Sequence, residues 1–191
     1  MLIIHICGPS GAGKTTSGEV LENIFGKRIT VKDLDELFSE FQHEHDDEFD
    51  PLLYQYFIDK FIKKHSDKPL VFVGLNINLT NWRSKRVFDL HSHFEYFINS
   101  NDEKILVQKC LRYINGKLCP FKDSELYKLV NDNRKFVARQ QRALQFNCDK
   151  ETMIEMNNHW RKIFSRLKYK FLSQIDILDE VIKILEAYLE T

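Results

Sequence analysis

Glycine and proline are scarce in this chain of 191 residues, with seven of the first and four of the second. No low-complexity linker and no internal repeat is visible. Net charge is also missing: 28 Lys and Arg balance 28 Asp and Glu. That balance argues against bulk attraction to nucleic acid or to acidic membranes, although a local basic groove stays open. No apolar run approaches the roughly 20 residues that a membrane span requires. Residues 2–7 already read as a strand, so no cleavable signal is expected. The four cysteines, Cys7, Cys110, Cys119 and Cys148, show no C-x-x-C pairing. Scattered cysteines of this kind fit reduced thiols and a cytoplasmic protein.

What is present is a globular composition. Hydrophobic residues make up 43% and charged residues 29%, which excludes a disordered chain. The length suits one domain with a sizeable core. The most informative stretch lies at the start. An apolar run, Leu2-Ile3-Ile4-His5-Ile6-Cys7, leads into Gly8-Pro9-Ser10-Gly11-Ala12-Gly13-Lys14-Thr15-Thr16. This is G-x-x-x-x-G-K-[ST] between a strand pattern and a helix pattern, the context the motif requires. Glycines let the backbone curl so that successive N–H groups face inward and form a nest for phosphate oxygens. A helix starting near Gly13 aims its positive dipole end at the same place. Lys14 then reaches the β- and γ-phosphates, and the Thr15 hydroxyl is offered to Mg²⁺. Cys7 reads as a small buried residue.

Periodicity supplies the rest of the framework. Val20, Leu21, Ile24 and Phe25 are assigned to the buried face of the first helix. Residues 28–31 read as a second strand, followed by a helix with Leu34, Leu37, Phe38 and Phe41 inward. Residues 43–50 read as a polar loop. Pro51 opens a helix whose candidate buried positions are Leu52, Leu53, Tyr56, Phe57 and Phe61. Residues 70–73 form a short apolar run of the parallel-sheet kind, ending at Gly74. Residues 93–98 read as a strand and 101–114 as a helix with Ile105, Leu106, Cys110 and Tyr113 inward. Helical stretches cover 123–146 and 150–167, the latter with Ile154, Trp160, Ile163, Phe164 and Leu167 on its faces. Residues 169–172 are a weak last strand. Residues 179–189 are a strong amphipathic helix, with Val181, Ile182, Leu185, Tyr188 and Leu189. Alternating strands and helices predict an α/β fold with a parallel five-stranded sheet covered on both faces. Ligands then bind at the carboxyl ends of the strands.

With these elements in order, the chain resembles the small P-loop kinases, the group of adenylate kinase, shikimate kinase and the 5′-polynucleotide kinases. The GPSGAGKTT loop is its most specific part. Asp33-Leu34-Asp35 falls where shikimate kinase-like enzymes carry D-x-D after the second strand, and Gly74 falls at their glycine after the third. Residues 101–112 resemble the helix leading to their lid, and residues 175–189 their last turn and helix, which border the adenine site. The resemblance implies a three-layer fold with a helical lid, here at about 116–167 of a single 1–191 domain. It implies transfer of the γ-phosphoryl of ATP, with Mg²⁺, to a small acceptor. The pattern also departs from these families. The third strand, VFVG, ends without a Walker B aspartate. Neither the triple glycine of shikimate kinase nor the D-G-F-P-R of adenylate kinase occurs, so acceptor identity does not transfer.

Phosphoryl transfer asks for positioning, a metal, cationic clamps and a carboxylate to orient the acceptor hydroxyl. Lys14, Asp35 and Asp33 are the catalytic candidates, and Thr15 with Asp33 the metal candidates. The plainer reading of Asp33 is a helix cap, with Glu36 completing a capping box. For Asp35 the plainer reading is a dipole-stabilising surface residue. Arg83 and Arg86 follow the third strand, where an acceptor clamp would sit, or are simply solvated. Arg112 and Arg134 are the candidate phosphate contacts from the lid, with Arg139 and Arg142 beside them. His43-Glu44-His45-Asp46-Asp47-Glu48 mixes metal-ligand types but reads better as a hydrated charge run. His91 and His93 read as structural or surface residues. Trp82 is either core or a ring for stacking an acceptor.

Two classes of function stay open. The leading one is an ATP- and Mg²⁺-dependent kinase for a small acceptor, a nucleoside or nucleotide; nucleic-acid 5′ ends are the less favoured acceptor. The other is a regulatory P-loop ATPase or nucleotide switch. The missing Walker B aspartate counts against the switch. No membrane partner is expected.

Overall fold

The computed structural model describes residues 1–45, 49–76, 87–113 and 149–190. They form β1 (Ile3–Cys7), α1 (Lys14–Phe25), a 3₁₀ turn (Gly26–Arg28), β2 (Thr30–Asp33), α2 (Leu34–Glu44), α3 (Pro51–Lys64), β3 (Leu70–Val73), β4 (Phe94–Ile98), α4 (Asp102–Tyr113), α5 (Lys150–Arg166), β5 (Lys170–Leu172) and α6 (Gln174–Leu189). The chain divides into two compact units: Met1–Asn99 with Trp160–Thr191, and Ser100–His159.

The first unit holds one sheet of five strands in the order β2-β3-β1-β4-β5. Every pairing is parallel: Ile3 sits opposite Leu70, Ile4 opposite Phe94, Thr30 opposite Leu70 and Tyr96 opposite Lys170. The predicted α/β architecture is therefore observed. Alternation along the strands explains why helices cover both faces, since successive side chains point to opposite sides. Ile4, Ile6, Val71, Val73, Tyr96 and Ile98 share one core with Leu21 and Phe25 of α1 and Ile177, Val181 and Leu185 of α6. Ile3, Leu70 and Phe72 point the other way, into a second core with Leu34, Leu37, Phe38 and Phe41 of α2 and Tyr54, Ile58 and Ile62 of α3. The second core carries a cluster of aromatic rings: Tyr54 meets Phe38 and Phe88 edge-on, at 5.2 and 4.8 Å between ring centroids.

Two helix faces differ from the expectation. In α1 the buried residues are Ser17, Gly18, Leu21 and Phe25, while Ile24 is 46% exposed. Small residues head this face because β2 and β3 press against it; a Cβ on Gly18 would meet Val31 Cγ1 at 3.0 Å. In α3 the buried stripe is Tyr54, Ile58 and Ile62, whereas Leu52 and Tyr56 are 74% and 66% exposed. Both stripes have helical spacing. Asp50 caps α3, accepting from the Leu52 and Leu53 N–H groups at 2.6 and 3.2 Å, which fixes where the helix starts; the packing of Tyr54 on Phe38 and Phe88 goes with the stripe that is buried.

Helix α2 runs on to Glu44, beyond the predicted start of the polar loop at residue 43. Helix α6 begins at Gln174, earlier than residue 179, because Ser173 caps it, its hydroxyl oxygen accepting from the Asp176 N–H at 3.2 Å. The second unit contains α4 and the start of α5. There the Asn101 side chain caps α4 by accepting from the Glu103 N–H at 2.7 Å, and Asn157 Nδ2 donates to Asp102 Oδ1 at 2.8 Å. Ile105 and Met153 are buried, and Leu106 and Cys110 are half-buried. Among the described residues no helix is long and apolar enough to cross a membrane.

Candidate functional site

The site is built at the carboxyl edge of the sheet. Strand β1 is central there; from β1 the chain moves to one side, to β2, and from β3 it crosses to the other, to β4, so the connections part between β1 and β3 and open a crevice there. The loop from Gly8 to Thr15 occupies this place. Gly11 and Gly13 hold φ of 89° and 100°, the left-handed region that L side chains avoid. A Cβ on Gly13 would also press to 2.6 Å from the Gln174 amide. The loop closes through the Ala12 N–H donating to Pro9 O at 3.1 Å. Lys14 Nζ donates to Pro9 O at 3.0 Å, so its ammonium spans the loop. Helix α1 has Gly13 as N-cap, no side-chain cap and no acidic residue in its first turn. Its first intrahelical bond is Ser17 N–H to Gly13 O at 2.9 Å. The N–H groups of Lys14, Thr15 and Thr16 precede that bond and face outward at the positive end of the helix.

The D-x-D pair meets this loop. Thr15 Oγ1 donates to Asp33 Oδ2 at 3.2 Å. The other oxygen of the same carboxylate, Oδ1, accepts from the Asp35 N–H at 2.9 Å and caps α2. Asp33 thus does both things that were treated as alternatives: it caps a helix and faces the hydroxyl expected at a metal. The predicted capping box is incomplete, because Glu36 turns to Lys32 at 3.4 Å, and Lys32 also reaches Glu40 at 2.7 Å. Asp35 has its pKa raised, first by loss of hydration and then by the charge of Asp33, with Lys14 opposing. A carboxylate of raised pKa beside a lysine is suited to taking a proton.

Gly74 explains how the pair is brought so close. It has φ of 137°, and a Cβ there would lie 2.9 Å from the Cβ of Leu34, the residue between the two aspartates. The absence of a side chain lets α2 start against the end of β3. Underneath, His5 is fully buried, Nε2 donating to Gly74 O at 3.0 Å and Nδ1 pairing with the Tyr169 hydroxyl at 2.8 Å. Burial first, with a smaller part from the Lys14 charge, lowers its pKa to about 4, so it is neutral and structural. Burial likewise pushes the Cys7 thiol up to about 12, which leaves it protonated and unreactive, as its small-core reading requires.

Arg112 falls on α4, and its side chain lies outside the described residues, as do Trp82, Arg83, Arg86, Arg134, Arg139 and Arg142 and all of 114–148 within the lid expectation. His43 and His45 end α2, where the His45 ring stacks on Phe41 at 4.4 Å between centroids; residues 46–48 lie outside the described part. His93 accepts the Ile3 N–H at 3.1 Å, and His91 sits 3.2 Å from Asp59 and from Asp89, both structural roles. A cavity of about 470 Å³ lined by Lys32, Glu40, Phe57, Lys60, Phe61 and others is separate from the site: neither the loop nor the D-x-D carboxylates line it. The sequence reading missed Gln174 and Ser17, which pack under the loop. Their only signal was proximity to a predicted helix start.

No protein-family model matches the chain, and no curated protein matches it. Among solved structures it is similar to shikimate kinase from Acinetobacter baumannii in complex with shikimate, at 16% identity and a TM-score of 0.40, over 98% of this chain and 94% of that one. What the site can do is therefore judged from its own atoms.

Proposed function

We propose that the protein is an ATP- and Mg²⁺-dependent phosphotransferase that moves the γ-phosphoryl group to the hydroxyl of a small acceptor, a nucleoside or nucleotide. The observation that carries this reading is the contact of Thr15 with Asp33 at 3.2 Å. It joins an anion nest and its lysine to a pair of carboxylates at one end of one sheet.

The residues present fit both ligands. Backbone N–H groups at the start of α1 suit phosphate oxygens. The Thr15 hydroxyl and the Asp33 carboxylate are hard oxygen donors, the kind Mg²⁺ takes, directly or through water. When bound, Mg²⁺ supplies charge neutralisation at the phosphates. The loop N–H groups hold the triphosphate, and Lys14 exchanges its bond to Pro9 O for the transferred phosphoryl oxygens. Asp35 accepts the proton of the acceptor hydroxyl as that oxygen bonds to the γ-phosphorus and the bond to the ADP oxygen breaks. The raised pKa of Asp35 supports this role. The nucleoside or nucleotide class rests on the sequence: arginines follow β3 and recur in the segment expected as a lid, and a phosphate on the acceptor would call for them.

The experiment is ATP consumption with Mg²⁺ against a panel of nucleosides, nucleotides and 5′-hydroxyl oligonucleotides. Acceptor-dependent ADP release with a nucleoside or nucleotide supports the reading. Hydrolysis that no acceptor changes would instead support a regulatory ATPase.

A further inference from the structure

Beneath the phosphate loop lies a closed set of hydrogen bonds that no step above uses. The first residue of α6, Gln174, extends its side chain to α1. Its Nε2 donates to Gly13 O at 3.0 Å and to Ser17 Oγ at 3.2 Å. Ser17 Oγ in turn donates to the same Gly13 O at 3.0 Å. The amide orientation follows from chemistry: a carbonyl oxygen only accepts, so the nitrogen of Gln174 must face it. Ser17 is fully buried, while Gly13 and Gln174 are half-buried.

Its geometric consequence concerns the next peptide. Gly13 O and the Lys14 N–H belong to one planar trans peptide and point in opposite directions. Whatever fixes the carbonyl on the side of α6 aims the Lys14 N–H into the loop. Gly13 sits at φ 100° and ψ 18°, a conformation glycine leaves easily; its carbonyl accepts the Ser17 N–H of α1 at 2.9 Å, and Gln174 adds a second hold from outside that helix. The contact is also tight enough to exclude a side chain at Gly13.

We propose that Gln174 is a positioning residue for triphosphate binding: it fixes the Gly13–Lys14 peptide with its N–H directed at the phosphates and couples the start of α6 to the occupancy of the loop. The proposal rests on the loop being a phosphate site, and the test separates the two. Inorganic triphosphate is titrated calorimetrically into wild-type protein, Gln174→Met and Gln174→Glu, with thermal unfolding recorded for each. Met and Glu are both tolerated in a helix. Met keeps length without a donor, and Glu replaces the donor with a charge that opposes the incoming anion. Loss of one such hydrogen bond corresponds to roughly fivefold to tenfold weaker binding. The expected result is that loss for Gln174→Met, a larger loss for Gln174→Glu, and unfolding of the two free variants within about 3 °C of wild type. In turnover, KM for ATP should rise while KM for the acceptor stays, a split that a general loss of fold would not give. Ser17→Ala combined with Gln174→Met should lose less than the sum of the single effects, because both act on one carbonyl. Wild-type binding with undiminished affinity in both Gln174 variants would overturn the positioning role alone. Failure of the wild-type protein to bind triphosphate would overturn the phosphate reading, and the proposal with it.

Discussion

Two aspartates separated by one leucine stand in different surroundings: both oxygens of Asp33 are hydrogen-bonded, and the Asp35 carboxyl feels the Asp33 charge. Asp33 spends one oxygen on the Asp35 N–H and the other on Thr15. Asparagine at position 33 keeps the cap but loses the charge. Asp33→Asn should therefore unfold within about 3 °C of wild type while needing a several-fold higher Mg²⁺ concentration for half-maximal rate, read by Mg²⁺ titration of turnover. Asp35→Asn should lower turnover about 10²–10⁴-fold with ATP affinity retained. Its pH behaviour follows from the sign of the shift. A raised pKa leaves more of Asp35 protonated as pH falls, so wild-type turnover should drop on the acid side at a pH above the ordinary carboxylate range. Above that pH the base is free and the rate levels. The residual rate of Asp35→Asn should lack this acid limb. Lys14→Ala should abolish transfer with the fold intact, since Lys14 stands at the end of the loop, where little packing is lost, while a charge meeting the transferred group is removed. The motif at the loop was legible in the sequence because its spacing is itself the geometry. The double use of Asp33 was not, since a cap and a carboxylate that meets a distant threonine have the same one-letter signature.

At the scale of elements, strands were legible, although β2 runs Thr30–Asp33 rather than 28–31 because a 3₁₀ turn takes Gly26–Arg28, and helix rotation was not. The runs at 3–7 and 70–73 are apolar on both faces, as buried parallel strands require. Helix α3 offers two apolar stripes, and periodicity ranks them equally. Tertiary packing, with Phe38 and Phe88 against Tyr54, selects the stripe through Tyr54 and Ile58. Ile58→Ala should consequently cost about 2–5 kcal/mol of stability and Leu52→Ala less than about 0.5 kcal/mol, measured by denaturant unfolding. Gly74 belongs to this scale too, because it sets the distance between the end of β3 and the start of α2. An alanine there combines a strained φ with a 2.9 Å approach to Leu34 Cβ. Gly74→Ala should cost on the order of 1–3 kcal/mol, and it should lower turnover as well, because the residue it displaces lies between Asp33 and Asp35.

Across the whole molecule, a parallel sheet with β1 at its centre gathers segments far apart in sequence at one edge: the loop after β1, the D-x-D after β2, the glycine after β3 and the glutamine after β5. Alternating strands and helices made that edge legible in advance, and with it the place to look for chemistry. Gln174 was not legible, since its role depends on a contact between the first and last helices, and no local pattern encodes a partner so distant in the chain. The central claim is that these segments form one phosphoryl-transfer site. Its most direct measurement follows the labelled γ-phosphoryl of ATP in a single turnover with an acceptor from the panel, in wild-type protein and in Asp35→Asn. The account predicts label on the acceptor for the wild type and a transfer rate at least about 10²-fold lower for the variant, with ATP bound equally by both. Label released only as inorganic phosphate, or equal transfer by the two proteins, would contradict it.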